Sequence, residues 1–367
     1  MSDVKVLMTG FPGFLSARLV AELVEQGEVG ELWLLVLPRM RTAAEAKLHG
    51  LEREVSGLKG RWRVVEGDIT LPGLGMSPGD AQDVRAHVER MWHLAAIYDL
   101  AVEDRTAYRV NVTGTINVLD VCAQCERLER LVYVSTCYVS GDREGRVLER
   151  ELDAGQGFKN HYEETKFWAE VEVQRRVAKL GLRAVILRPG IVVGDSSTGR
   201  TDKYDGPYYV FQLLRRLPHW MPMVNIGSGE ALVNVVPVDF AVQAMAHIGG
   251  ARESVGAVFH IADPAPMRAR DVLALALKIL GRKPALAAIP RGVADRILSN
   301  AAVEEGLGLP REALAYFDHG ARYDVSNTQR SLAETSIRCP HLSTYLEVLL
   351  GYMEREPDKE FLDARRV

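Results

Sequence analysis

Val4-Lys-Val-Leu-Met-Thr-Gly-Phe-Pro-Gly-Phe-Leu-Ser16 decides the fold. A short, mostly apolar run, Val4–Met8, passes through two glycines into an amphipathic stretch, Phe14–Gln26. The first reads as a buried strand and the second as a helix. Gly10 and Gly13 allow a tight turn, so backbone can approach a phosphate seated on the helix N-terminus. The residues expected to hold a dinucleotide here are Thr9, Gly10, Phe11, Pro12, Gly13, Phe14 and Leu15. Ser16 stands where the G-x-x-G-x-x-G pattern has its third glycine, which predicts looser helix–strand packing.

The same alternation continues. Leu32–Leu37, Arg63–Glu66, Met91–Leu94, Leu131–Val134 and Ala184–Leu187 read as strands. Helical patterns occupy Ala43–Val55, Pro78–Val88, Arg105–Glu126 and Tyr162–Leu180. Continuous apolar strands alternating with helices predict an α/β fold, a doubly wound parallel Rossmann sheet covered on both faces. After Pro189 the pattern changes. A helix is expected near Tyr209–Arg216, and Val233–Val236 is expected to rejoin the sheet. A helix at Asp239–Ile248, N-capped by Asp239, and a strand at Val258–Ile261 follow. Further helices are expected at Ala269–Leu280, Arg291–Asn300 and Leu342–Glu354. Residues 1–190 and 233–262 are thus assigned to a dinucleotide-binding domain, and 191–232 with 263–367 to a smaller substrate-binding lobe built from C-terminal insertions.

The second strand's tip bears on cofactor choice. An acid there binds a ribose 2′-hydroxyl, whereas arginine accommodates a 2′-phosphate. The tip reads Leu35-Val-Leu-Pro-Arg-Met-Arg41, without an acid, so Arg39 and Arg41 favour NADPH over NADH.

Composition narrows the class. The chain has 367 residues, 47% hydrophobic and 26% charged, enough for one large or two moderate globular domains. A net charge of −4 offers no electrostatic footprint for nucleic acid. Four cysteines are too few for a disulfide framework, and Cys122-x-x-Cys125 reads as buried thiols within a helix. His87, His219, His260 and His341 lack metal-ligand spacing, so no metal is expected. No apolar stretch approaches the ~18 residues of a membrane span. No signal peptide is seen before the first strand, and a cytoplasmic location is expected.

The chemistry concentrates in His161-Tyr-Glu-Glu-Thr-Lys-Phe-Trp-Ala-Glu170. Tyr162 and Lys166 lie one helical turn apart on one face. A phenol near a cation is a ready acid, because a cation within ~4–6 Å lowers a phenol's pKa by roughly 1–3 units. Lys166 is therefore expected to lower the pKa of Tyr162.

Together these pieces resemble the extended short-chain dehydrogenase/reductase family. Glu66-Gly-Asp-Ile-Thr70 is similar to the segment that family places near adenine, which implies Asp68 and Ile69. His93-Leu-Ala-Ala96 resembles its cofactor-side loop, which implies Leu94, Ala95 and Ala96. Asn111 resembles a structural asparagine. Val134-Ser-Thr-Cys-Tyr-Val139 implies Thr136 as the catalytic hydroxyl, beside Tyr162 as proton donor and Lys166. The resemblance also implies Tyr162, Lys166, Pro189, Gly190 and Ile191 at the cofactor. Within the family the chain is most similar to acyl-CoA and acyl-thioester reductases, including the reductase domain of bacterial fatty acyl-CoA reductases. The segments that carry this likeness are His93–Asp99, Leu187–Gly199, Asp202-Lys-Tyr-Asp-Gly-Pro-Tyr-Tyr209, Val233–Asp239 and Tyr323-Asp324. Ser16, and Pro38 where relatives often carry arginine, depart from the pattern.

The implied activity is NADPH-dependent hydride transfer to an acyl thioester, on coenzyme A or acyl carrier protein, or to the derived aldehyde. The alternatives are a carbonyl reductase of a secondary metabolite and a nucleotide-sugar epimerase or dehydratase. The last class favours an acid at the second strand's tip. A nucleotide sensor without turnover would tend to lose the tyrosine or lysine. Phe211, Leu214, Trp220, Met221 and Met223 could line an acyl channel or simply form core. Asp205-Gly-Pro-Tyr208 reads as a rigid turn or as part of that site, Arg188-Pro-Gly as a structural exit, and Glu144–Glu151 as a solvated loop. The expected partner is a small molecule, with a homodimer as a candidate assembly.

Overall fold

A computed structural model describes residues 4–98, 103–300, 307, 319–357 and 359. Asp99, the remainder of the 301–318 segment and the last residues of the expected lobe lie outside these.

Among the described residues, seven strands form one parallel sheet. They are β1 (Lys5–Thr9), β2 (Glu31–Val36), β3 (Trp62–Glu66), β4 (Arg90–His93), β5 (Arg130–Val134), β6 (Ala184–Pro189) and β7 (Val258–Ile261), in the order β7-β6-β5-β4-β1-β2-β3. The first crossovers are α1 (Phe14–Glu25), α2 (Arg41–Glu54) and α3 (Pro78–His87). Asp104–Ala107, Tyr108–Thr113 and Gly114–Cys122 then run on as one helix, α4, with π-type bonding in its middle section. Next comes α5 (His161–Leu180).

Alternation along each strand builds two cores. Val6 and Met8 face α1, whereas Leu7 points to the other face with Trp33, Met91 and Tyr133. The strand order reverses between β1 and β4. A crevice therefore opens at their carboxyl ends, where α/β sheets of this kind bind ligands.

α5 is delimited by its own sequence. Asn160 accepts the Glu163 N–H, and Glu163 reaches back to the Lys159 N–H. Gly181 ends the helix in the left-handed conformation. Its inner face is pinned by Glu170, which pairs with Arg188, both wholly buried, at 2.5 Å. Arg188 also donates to the carbonyls of Glu149 and Glu151, so the expected structural exit from β6 is a bonded junction.

Four further helices are α6 (Pro207–Arg216), α8 (Ala269–Ile279), α9 (Arg291–Leu298) and α11 (Leu346–Arg355), while α7 (Val238–Gly250) and α10 (Ser326–Ser331) pack on the main sheet. Tyr204, Tyr208, Phe211, Val272 and Leu349 belong to a third, separate core.

Four expectations are corrected here. Val233–Val236 does not rejoin the sheet. Buried Asn234 divides the run, so Leu232–Val233 pairs with Met267–Arg268 and Val235–Pro237 with Ile191–Val193. Asp239 caps no helix, because its carboxylate is engaged by the Ser196 N–H and hydroxyl. Glu144–Glu151 is no solvated loop. Gly145–Val147 pairs with Ala321–Tyr323, and buried Glu149 accepts from the N–H groups of His260, Asn327 and Thr328. Through these bonds part of the C-terminal segment joins the main body rather than the lobe, and Leu332, Ile337 and Cys339 pack into the β1–α1 core.

Candidate active site

The crevice at the strand ends is a cleft of about 1060 Å³. Its floor is built by the ends of β1 and β4. Thr9 and His93 stand in register, and the Thr9 hydroxyl donates to His93 Nδ1 at 2.8 Å. His93 Nε2 lies 3.0 Å from the Thr115 hydroxyl, which itself donates to the Asn111 carbonyl. Burial, with Lys166 nearby, pushes His93 down to about 3, so the ring is neutral and its tautomer fixed. The Ala95 N–H donates to the Thr9 hydroxyl and draws the loop after β4 against the glycine turn. Only glycine fits at position 10. Its φ is +89°, and a Cβ would lie 2.8 Å from the Ala95 nitrogen.

Ser16 corrects the expectation of loose packing. It is buried, and its hydroxyl lies 2.9 Å from both the Gly10 and Gly13 carbonyls. The serine fastens the turn that a third glycine would leave untied.

Thr9 to Leu15 all line the cleft, as do Asp68, Ile69, Leu94, Ala95, Ala96, Pro189, Gly190 and Ile191. The turn, the helix N-terminus behind it and the size of the cleft fit an extended dinucleotide. The two arginines part company. Arg39 is exposed and lines the cleft. Arg41 does not, since its guanidinium is paired with Glu45 at 2.9 Å and Glu66 at 3.1 Å.

Thr136, Tyr162 and Lys166 all line the cleft. Thr136 begins the turn after β5, where its Oγ1 accepts the Tyr138 N–H, and it also bonds Tyr162. Gly141 ends that turn at φ +58°, with no room for a Cβ against the Gly157 carbonyl. Asn111 bonds both backbone groups of Ile97 and the Thr165 hydroxyl, so it locks the loop after β4 to α5. This is the structural duty expected of it.

Electrostatics differ from expectation at the tyrosine. Burial raises the Tyr162 pKa, and the bond to Thr136 opposes this only in part. Lys166 does not lower it. Its ammonium donates to the Val134 carbonyl at 2.8 Å and sits 4.5 Å from the centre of the Tyr133 ring. Burial brings Lys166 itself down to about 7.

Beyond this centre the cleft becomes apolar. Phe211, Leu214 and Met223 line it while also belonging to the third core, joined in the lining by Ile191, Val210, Leu213 and Val272. Trp220 and Met221 do not, and Trp220 is 77% exposed. Residues that sequence reasoning left without a role also enter. Tyr98 packs edge-on to Tyr162 with ring centres 4.9 Å apart. Lys203 and Asp205, in the turn ahead of α6, line the same cleft. Both sit in the quoted Asp202–Tyr209 segment, where Asp205 opens the turn read as rigid or as part of the site and Lys203 carries no assigned role. His319 also lines the cleft, and no local pattern marks it.

Comparison with known proteins adds identity to this geometry. Residues 8–245 match the family described as male sterility protein. The fatty acyl-CoA reductase wat of Drosophila melanogaster is 27% identical over 66% of this chain and 53% of that protein. The nonribosomal peptide synthetase asaC of Aspergillus flavus is 25% identical over 91% of this chain, and 34% of the synthetase is covered. The chain thus spans about half the length of the first relative and a third of the second. Among solved structures, the terminal R domain of the myxalamid PKS-NRPS pathway superposes with a TM-score of 0.82 at 24% identity, covering 96% of this chain and 91% of that one. UDP-glucuronic acid 4-epimerase from Bacillus cereus, in complex with NAD, gives 0.67 at 19% identity, covering 96% and 99%. At these identities the two structures share the fold. With the family match extending over the glycine turn, Thr136, Tyr162 and Lys166, the chain belongs to the male sterility protein family, within the extended short-chain dehydrogenase/reductases.

Proposed function

We propose that the protein is an NADPH-dependent reductase of an acyl thioester, carried on coenzyme A or a carrier protein, or of the derived aldehyde. The observation that supports this best is continuity. One cleft runs from the glycine turn and Arg39, past Thr136, Tyr162 and Lys166, into an arm lined by Ile191, Phe211, Leu214 and Met223. A nucleotide, a reacting carbonyl and an acyl chain need that sequence of surfaces. The names of the relatives, a fatty acyl-CoA reductase among them, lean the same way.

Thr9 to Leu15 would hold a dinucleotide along the turn, and that group would supply the hydride. The Thr136 hydroxyl donates to the substrate oxygen as charge grows there, an interaction whose loss typically costs ~10²–10³ in rate. Tyr162 delivers the proton. Its raised pKa keeps the phenol protonated at neutral pH, and a newborn alkoxide is basic enough to take that proton. Lys166, brought to about 7 by burial, is favoured as the charged ammonium by a hydroxyl placed beside it to accept its hydrogen bond.

The epimerase reading has the shared fold in its favour. It lacks an acid at the β2 tip, where Leu37-Pro38-Arg39 stands. The test is NADPH consumption with acyl-CoAs, fatty aldehydes and sugar nucleotides offered in parallel. Oxidation with the acyl compounds alone is expected. Retention of NAD through purification, with turnover only of sugar nucleotides, overturns the proposal.

A further inference from the structure

We propose that Lys203 is the group that stabilises the departing thiolate when the hemithioacetal collapses. This rests on the thioester reading above and assigns a residue to a step that Thr136, Tyr162 and Lys166 leave unserved.

The geometry is a paired cation in an arm that is otherwise largely apolar. Lys203 Nζ lies 3.2 Å from the Asp205 carboxylate. It also stands 5.1 Å from the centre of the Tyr98 ring, which packs edge-on against Tyr162 at 4.9 Å. Lys203, Asp205, Tyr98 and Tyr162 all line the one cleft. The lysine reaches it from the small lobe, in the turn ahead of α6, whereas Tyr162 comes from the main sheet. Gly206, at φ +54° and close to Ile191, gives that turn a fixed shape. Lys203 keeps a third of its side-chain surface exposed, while Asp205 keeps 14%. The acid is the buried anchor and the ammonium is the end left free to donate.

Thioester reduction needs two polar events where aldehyde reduction needs one. Hydride adds to the carbonyl carbon, and the oxygen takes the Tyr162 proton. In the collapse the C–S bond breaks, with its electron pair going to sulfur. The hydroxyl proton returns to the Tyr162 phenolate as the C=O bond re-forms, and solvent supplies the thiol proton afterwards. Negative charge therefore develops on sulfur, away from the oxygen served by Thr136 and Tyr162. An ammonium beside that sulfur lowers the barrier by donating a charge-assisted hydrogen bond. Lys203 is the described cleft-lining ammonium on the lobe side, since Lys166 belongs to α5 and is turned to Val134.

The experiment is a leaving-group series. Wild type, Lys203→Gln and Lys203→Arg are given acyl thioesters of one chain length on an alkyl thiol and on an aryl thiol, and single-turnover aldehyde formation is measured. The aryl thiolate is stable enough to leave unaided. The rate ratio of alkyl to aryl substrate is expected to fall about 10- to 100-fold in Lys203→Gln and to recover in Lys203→Arg. A fluorescence titration with NADPH checks that each variant retains a folded nucleotide site. An unchanged ratio, with or without a general loss of rate, overturns the assignment. Wild-type protein that reduces neither thioester overturns the thioester reading itself, and this inference with it.

Discussion

The Lys166 ammonium donates to the Val134 carbonyl across 2.8 Å, tying α5 to the end of β5. That bond places the lysine at the Thr136 turn rather than making it a simple modulator of the neighbouring phenol. Lys166→Met is therefore expected to lower turnover and also weaken cofactor binding. A loss confined to turnover, with an unchanged NADPH dissociation constant by fluorescence titration, contradicts this.

Arg39→Ala is expected to weaken NADPH about 10- to 100-fold, the worth of a charge-assisted hydrogen bond of ~1.5–3 kcal/mol, and NADH by less than threefold. Arg41→Ala should alter neither, because its guanidinium already answers Glu45 and Glu66. Calorimetric titration with both dinucleotides decides this. Equal weakening of the two by Arg39→Ala rules out the 2′-phosphate contact.

Ser16→Ala removes the hydroxyl that closes the turn onto the Gly10 and Gly13 carbonyls. A loss of about 1 kcal/mol of stability is expected, with a several-fold rise in the NADPH dissociation constant. Urea denaturation and the same titration read the two effects. Ser16→Gly matching the wild type in both would show that the hydroxyl contributes nothing.

Acid should destabilise the protein through its buried imidazoles. Burial pushes His93, His260 and His319 each down to about 3. The unfolded chain protonates its histidines near ~6.5. As pH falls below that value the unfolded state binds protons that the native state refuses, so stability present above ~6.5 is lost toward ~3, at about 1.4 kcal/mol per pH unit for each histidine. Glu149 and Asp263, both raised by burial, act with the opposite sign as the carboxylates titrate. Stability should therefore fall across the window from about pH 6.5 to 5. A denaturation midpoint that is flat across it contradicts the prediction.

Breaking the Arg188–Glu170 pair should cost about 3–5 kcal/mol, because one charge is then left buried alone. Glu170→Gln also removes the carboxylate that the Ser135 hydroxyl donates to. A thermal melt within 2 °C of the wild type would show that the junction is not structural.

The sheet was legible because its strands are continuous apolar runs. Val4–Met8 and Ala184–Leu187 each mark a strand of the structure, displaced by a residue or two at their ends. The glycine turn and the Tyr162–Lys166 spacing are local patterns and were equally plain. What escaped was non-local. Nothing near Glu149 indicates that N–H groups of residues 260, 327 and 328 converge on it. Asp239 carries the pattern of a helix cap, yet Ser196 claims it from another segment. The direction of the Tyr162 shift depends on burial, which spacing alone does not reveal.

The most direct test of the account is product analysis with NADPH and a long-chain acyl-CoA, comparing wild type with Tyr162→Phe. Aldehyde or alcohol is expected from the wild type, with a drop of roughly 10²–10⁴ in the variant, the usual worth of a positioned acid. Product formed at an undiminished rate by Tyr162→Phe would contradict it.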